Sequence, residues 1–302
     1  VDVDATEPDQ RVVEAAAQLP ARGGVTGWAA LWWLGGVWFT GVGSDGDLRP
    51  VPLAVGSGHR ARPRAGLEIS QEVVTPANLT RSGGVRLTGA LWSVSYSMRK
   101  AASDEAAVVA FDMAAFNDLV SVAELRAFVD RHLVARQGVE RVRRVLGFLD
   151  ENCWSPMEPV LQLTWERELG VLPLMNRPVF DQRGRFIGTP DAIDPAAGVY
   201  GMYDGGLHLA GSVRHRDIEK EAAYRSIGLE GATMMASDLA DRSPFSRRLR
   251  EAYGRASRLP SAERRWTIDP PRSWKDTTTV DARRALSTYD RERLLAHRRR
   301  AA

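Results

Sequence analysis

The amino-acid sequence predicts an α+β multidomain protein: an N-terminal region of helices and short strands, a helical middle, and a C-terminal α/β domain. Three observations lead there. Helical spacing and short β-like runs fall in separate blocks instead of alternating strictly along the chain. Glycine and proline close most of those runs. From Ser155 to Tyr253 the order is helix, three strands, helix, strand, helix, which is enough for one compact α/β layer. With 302 residues, 44% hydrophobic and 26% charged, the chain can supply two domains with a core in each. The predicted segments are 1–90, 91–150, 151–256 and 257–302.

After an acidic start (Asp2, Asp4, Glu7, Asp9), Gln10 to Leu19 reads as a short helix ended by Pro20, Gly23 and Gly24. Trp28 to Leu34 is dense enough in aromatic and aliphatic residues to form a buried second helix, ended by Gly35 and Gly36. DNA-binding helix-turn-helix units share this outline with plain helical hairpins, and the second helix here has no basic recognition face. Short β-like runs follow at Val37 to Val42, Val51 to Val55, Leu67 to Val74 and Val85 to Thr88. Between the second and third lies a basic loop, His59, Arg60, Arg62 and Arg64, suited either to phosphate or to a solvated turn.

Leu91 to Leu149 returns to helical spacing. Ser121 with Glu124 three residues on has the capping-box pattern, and a third helix over about Val139 to Leu149 carries Arg141, Arg143 and Arg144. Next, Ser155-Pro156-Met157-Glu158 opens an amphipathic helix, where Glu158 suits both a capping box and the helix dipole. Strands are expected at Asn176 to Phe180, Arg185 to Ile193 and Gly198 to Tyr203. A polar helix from Arg214 to Ile227, an apolar run at Ala232 to Ala236 and a helix from Ser243 to Tyr253 complete the segment. Asp281 to Arg300 is expected as one exposed helix.

The segment resembles very-short-patch-repair-like endonuclease domains, a branch of the PD-(D/E)XK nucleases. The residues that carry the likeness are Ser155-Pro156-Met157-Glu158, Gly184-Arg185-Phe186-Ile187-Gly188, Asp191, Tyr203-Asp204-Gly205 with His208, Arg214 with Arg216 and Asp217, and Ser237-Asp238-Leu239. Gly27 to Leu31 and the Leu-Gly-Gly after them resemble the N-terminal region of abortive-infection antitoxins and regulators of the AbiEi type. The resemblance implies a restriction-endonuclease-like α/β domain with a small mixed sheet flanked by helices. It also implies Mg²⁺-assisted phosphodiester hydrolysis, with Asp191 on the metal-binding strand aspartate and Glu158 and His208 completing the catalytic set. Arg214, His215 and Arg216 begin the next helix, where cations oppose the dipole and a bound nucleic-acid phosphate would offset them. One position departs from the family pattern: Met202 stands where Glu precedes Tyr-Asp-Gly, and a thioether is a poor ligand for a hard cation. Asp204 lies two residues on, about 6.6 Å away along the same strand face, and is the candidate replacement.

Each of these residues also has a structural explanation. Glu158 can serve only the helix start, His208 can be a surface residue after a Gly-rich turn, and Asp217 and Glu219 can offset the cations that open the next helix without any ligand.

Composition narrows the setting. A single cysteine, Cys153, excludes an intrachain disulfide framework and fits a reducing compartment. No stretch has the ~18 to 20 apolar residues needed to span a bilayer, and the acidic start is unlike a secretory signal, so a cytoplasmic protein is expected. Only Lys100, Lys220 and Lys275 are lysines; the rest of the positive charge is arginine, which points to a high-GC bacterial genome. From Arg242 to the end, 17 basic residues face 7 acidic ones, a net +10 in a chain whose total is +3. That asymmetry suits an acidic partner, DNA first, unless the arginine-rich tail is simply solvated. Three function classes follow: a metal-dependent DNA endonuclease weakened by Met202, a DNA-binding regulator or antitoxin-like protein without nuclease activity, and a protein-interaction module.

Overall fold

The computed structural model describes residues 4, 6–43, 45–57, 64–206 and 211–300, with the backbone alone for 211–218, 261, 299 and 300. The protein is α+β, and its chain divides into two compact units, one running to Glu151 and resuming at Leu286, the other Asn152–Ala285.

The first unit opens with α1 (Pro8–Ala16), whose proline sits in the first turn, where a missing N–H costs nothing. Strand β1 (Gly24–Val25) and helix α2 (Gly27–Trp33) follow. Because β1 intervenes, α1 and α2 are joined by the whole stretch from Ala17 to Thr26 and not by a tight turn. The remaining strands are β2 (Val51–Ala54), β3 (Leu67–Ser70), β4 (Leu79–Ser82) and β5 (Val85–Thr88). They form a mixed sheet in the order β3-β2-β1-β5-β4, with β1 central, antiparallel to β2 and parallel to β5. Val25, Leu53 and Leu87 pack with Val12 and Ala30 to make its core.

The strand expected over Val37 to Val42 does not form; only an isolated bridge joins Val42 to Leu48. Gly36 folds the chain back so that its amide bonds to Leu31, the Val37 amide is taken by the Asn117 side chain, and Trp38 meets Phe116 edge-on. The segment therefore caps helices instead of pairing. The basic loop at 59–62 lies outside the described residues.

The helical middle consists of α3 (Ala90–Lys100), α4 (Asp104–Phe116), α5 (Val122–His132) and α6 (Val139–Val145). Ser121 and Glu124 form the expected capping box, each side chain accepting from the other's amide.

The second unit begins with α7 (Glu158–Leu169), then β6 (Leu174–Met175), β7 (Val179–Asp181), β8 (Phe186–Gly188), β9 (Ala192–Asp194), β10 (Val199–Asp204), α8 (Gly211–Ser226), β11 (Glu230–Met235), α9 (Ser243–Ala256), β12 (Trp266–Thr267) and α10 (Val280–Arg284). The single strand expected over Arg185 to Ile193 is two strands in two sheets. Pro190 has no N–H for a ladder, and the Thr189 carbonyl is taken by the Lys220 ammonium at 3.0 Å, so the chain leaves one sheet at Gly188 and enters the other at Ala192. The main sheet is mixed, in the order β11-β10-β9-β6, with β11 parallel to β10; the second, β12-β7-β8, is antiparallel.

Alternation along β10 sorts its two faces. Tyr200 meets Tyr224 of α8 at 4.6 Å between ring centroids, whereas Gly201 faces α7, where a Cβ would come within 2.8 Å of the Trp165 ring. Helices thus cover the sheet on both sides. The predicted helix over Asp281 to Arg300 is broken into α10, α11 (Thr288–Leu294) and α12 (Ala296–Arg300). Thr279 and Ser287 each cap a fresh start, and α11 and α12 return to the first unit, where Arg291 pairs with Asp118 and Arg298 donates to the Phe116 carbonyl.

No helix among the described residues is long and apolar enough to cross a membrane.

Candidate functional site

Helix α7 starts two residues later than its sequence signal. Met157 is the capping residue, Pro159 sits in the first turn, and the Ser155–Glu158 capping box does not form. Glu158 turns back instead, its Oε2 accepting from the Trp154 amide at 2.6 Å and from Asn176 Nδ2. Its residue is only 5% exposed. Asn176, in the left-handed region at φ +48°, also donates to the Asn152 carbonyl at 2.8 Å. Asn152 in turn donates to the carbonyls of Met175 and Asn176. The two asparagines thereby lock the end of β6 to the loop before α7 and hold a hydrogen-bond donor on Glu158. The remaining acceptor of Asn176, its Oδ1, is buried with no hydrogen-bond partner among the described residues.

Asp191 lies immediately before β9, next to Asn176, whose amide donates to its carbonyl at 2.9 Å. The Asp191 carboxylate reaches across to the Tyr203 amide of β10 at 2.7 Å. Two acids of the predicted set, the buried Glu158 and the half-buried Asp191, are therefore close enough for their charges to interact. Burial pushes both carboxyls well above the ordinary range; for Glu158 the neighbouring charge of Asp191 adds to the effect, while hydrogen bonds from Trp154, Asn176 and Ser155 oppose it. For Asp191 the Tyr203 amide and the Lys220 ammonium pull the other way. At neutral pH this arrangement favours a carboxyl pair that holds on to a proton.

The other predicted residues are not gathered there. Asp204 is exposed at the end of β10 and accepts from the Gly206 amide at 2.8 Å, so it organises its own turn. Met202, the position of the missing acid, packs with the apolar cluster of Val179, Ile193, Tyr200 and Tyr224. Continuing the β9–β10 register one step past the Gly201–Ala192 pair sets Met202 opposite Asp191. His208 lies outside the described residues, as do the side chains of Arg214, His215 and Arg216, whose backbone forms the first turns of α8. Among the described residues no three His, Cys, Asp or Glu side chains come together in a way that would hold a metal ion.

Sequence reasoning missed Asn152, Asn176 and Lys220. The asparagines have no motif. Lys220 had a signal, being one of three lysines in an arginine-rich chain: its slim ammonium reaches the Thr189 carbonyl beneath Gly188, where a Cβ would come within 2.6 Å of the Tyr224 hydroxyl and 3.3 Å of Lys220 Cε.

A cleft of about 300 Å³ opens beside β11, the edge strand, between α8 and α9. Arg248 and Arg255 line it, but both are engaged: each donates to an edge carbonyl, of Thr233 and Gly231, and each pairs with an acid, Asp238 and Glu230. They cover an exposed strand edge, a structural task. In comparisons with known proteins, no family model, curated protein or solved structure matches this chain.

Proposed function

We propose that residues 152–285 form a nucleic-acid-binding domain related to the very-short-patch-repair-like nucleases that no longer cleaves. The observation that carries this reading is Met202. A hard divalent cation takes oxygen ligands, and the side chain opposite Asp191 offers a thioether packed among tyrosines and aliphatics. Asp204 supplies no substitute in its present conformation, because its carboxylate serves the Gly206 amide and stands in solvent. The donor set of Glu158 and Asp191 alone does not fit magnesium.

Retention of the acid pair supports descent from a catalytic site. Two like charges side by side in an interior lower stability, and such arrangements concentrate at functional sites. DNA is the favoured partner because residues 242–285 of this domain carry 12 basic against 5 acidic side chains, a net +7, although Arg248, Arg250 and Arg255 are held in ion pairs within it. The helix-turn-helix reading receives less support: α2, Gly27–Trp33, contains no basic residue to meet a phosphate.

The test is plasmid nicking in Mg²⁺ and in Mn²⁺. The wild-type protein is expected to leave the plasmid intact while binding DNA with an affinity that falls as salt rises. Nicking that disappears in Asp191→Ala would show an active site and end this reading. A second variant, Met202→Glu, restores an acid beside Asp191; without metal it is expected to cost about 1–3 kcal/mol of stability, and to regain part of that as Mn²⁺ is added, read as a metal-dependent rise in unfolding temperature.

A further inference from the structure

Two large aromatic side chains of the second unit are exposed among its described residues, and they lie together. Phe186, the first residue of β8, is 52% exposed, and Trp274, in the segment after β12, is 39% exposed. Their rings stack, with centroids 5.5 Å apart and planes 26° from parallel. Both stand on Phe180 of β7, which is fully buried and meets Phe186 at 6.0 Å and Trp274 at 4.9 Å, edge-on in each case. The pair is a built platform: one ring is fixed by a β-strand, the other by the Trp274 amide, which donates to the Pro271 carbonyl at 2.8 Å.

Its surroundings are basic. The β7–β8 turn is fixed by Asp181, whose carboxylate accepts from the amides of Arg183 and Arg185 at 2.9 Å each and from Arg185 Nε at 2.7 Å. That turn touches the Trp274 segment, since a Cβ on Gly184 would lie 3.7 Å from Pro271 Cβ. Arg183 adjoins Gly184 and Arg272 adjoins Pro271, so each side of this contact has an arginine next to it in the chain. Both are exposed, and neither guanidinium has an ion pair or hydrogen bond among the described residues. Lys275 follows Trp274; the nearby Asp276 is occupied by the amide and hydroxyl of Thr278, at 2.8 and 2.7 Å.

The geometry points to a stacking site for the unpaired bases of a single-stranded nucleic acid, with Trp274 and Phe186 as the platform and Arg183 and Arg272 on the flanking phosphates. An apolar partner would use the rings and strand two guanidiniums. A base-paired duplex would use the guanidiniums, but its base faces are already stacked on one another. A single strand uses both, because every base offers a π face and every linkage a charge. The inference deepens the proposed function by naming the form of nucleic acid that this domain takes.

The experiment is fluorescence anisotropy of the full chain with a labelled twelve-nucleotide oligo(dT) and, separately, with a labelled hairpin duplex. Expected are tighter binding of the single strand and a loss of roughly 5- to 100-fold for Trp274→Ala, with Trp274→Phe recovering most of it. The surface pair Arg183→Gln with Arg272→Gln, which removes no packed side chain, is expected to flatten the salt dependence of log Kd by about 1.4. Single-strand binding that is unchanged in both Trp274→Ala and the arginine pair overturns the platform while leaving nucleic-acid binding standing. Binding of neither probe at low salt overturns the proposed function and the platform together.

Discussion

In the first unit the Arg99 side chain is completely buried, and its guanidinium meets both oxygens of Glu72 at 2.6 and 2.7 Å with a third bond to the Gln137 carbonyl. In the second, Glu158 is buried beside Asp191, a second acid, with Lys220 as a more distant counter-charge. The first centre is what folding alone favours: opposite charges, matched geometry, donors and acceptors nearly all used. The second raises the free energy of the fold; a buried atom lacks a hydrogen-bond partner in each centre, Arg99 Nε in the first and Asn176 Oδ1 in the second, so the difference lies in the charges. A sequence selected only to fold would place the second arrangement nowhere. This contrast is what supports the proposed reading of the Glu158–Asp191 centre as a retained site.

The comparison is broken most forcefully at Glu72. Replacing Glu72 by Ala leaves the Arg99 guanidinium buried with one carbonyl for company, and about 3–5 kcal/mol of stability is expected to go. Urea denaturation of the variant checks it; a loss under 1 kcal/mol would mean that water reaches Arg99 and that the two centres differ less than their geometry says.

The opposite response is expected at Glu158. A carboxyl whose value is raised by folding binds its proton more tightly in the folded state, so the stability it contributes is fully present below the unfolded value of about 4 and is lost as pH rises through the raised folded value. Each unit of upward shift is worth about 1.4 kcal/mol. Wild-type protein should therefore lose stability between pH 5 and pH 8.5. Glu158→Gln removes the titrating group and keeps an acceptor for the Trp154 amide. Its urea midpoint should change far less over the same interval and exceed that of wild type at pH 8.5. Equal pH slopes in the two proteins would remove Glu158 as the source.

Much of this architecture was legible because short-range signals set it. The Ser121–Glu124 box, Pro244 in the first turn of α9, and the helix of residues 158–169 are written in neighbouring residues. What stayed hidden depends on distant partners. Pro190 is a visible break within Arg185 to Ile193, but that the chain changes sheets there depends on Lys220, far along the sequence, taking the Thr189 carbonyl. Nothing around Trp274 says that it will stack on Phe186. At the site, Asp191 and Glu158 were found from family-like spacing, and Met202 from a departure in it, whereas Asn176 required the left-handed turn that aims its amide at Glu158. Residues with chemistry of their own are visible in sequence; residues that position them are visible only in space.

Asp194 offers the finest form of the comparison, because it lies three residues from the half-buried Asp191 and is itself buried, yet is fully provided for. Its Oδ1 accepts from the amides of Ala196 and Ala197, and its Oδ2 accepts from the Tyr253 hydroxyl at 2.7 Å. Tyr253 accepts in turn from Trp165 Nε1 at 3.0 Å, so one phenol ties α9 to both α7 and β9. Tyr253→Phe keeps the ring and its edge-on contact with Trp165 while removing both hydrogen bonds. Asp194 retains its two amides, so the expected cost is about 1–2 kcal/mol, much of it from the indole N–H left without an acceptor. The loss should be the same at pH 5 and pH 8.5, because the substitution removes two hydrogen bonds and no group that changes its charge between those values. A cost that grew with pH would show the two acids of this strand to be electrostatically joined, and the boundary between structural and inherited charge would then have to be drawn around both.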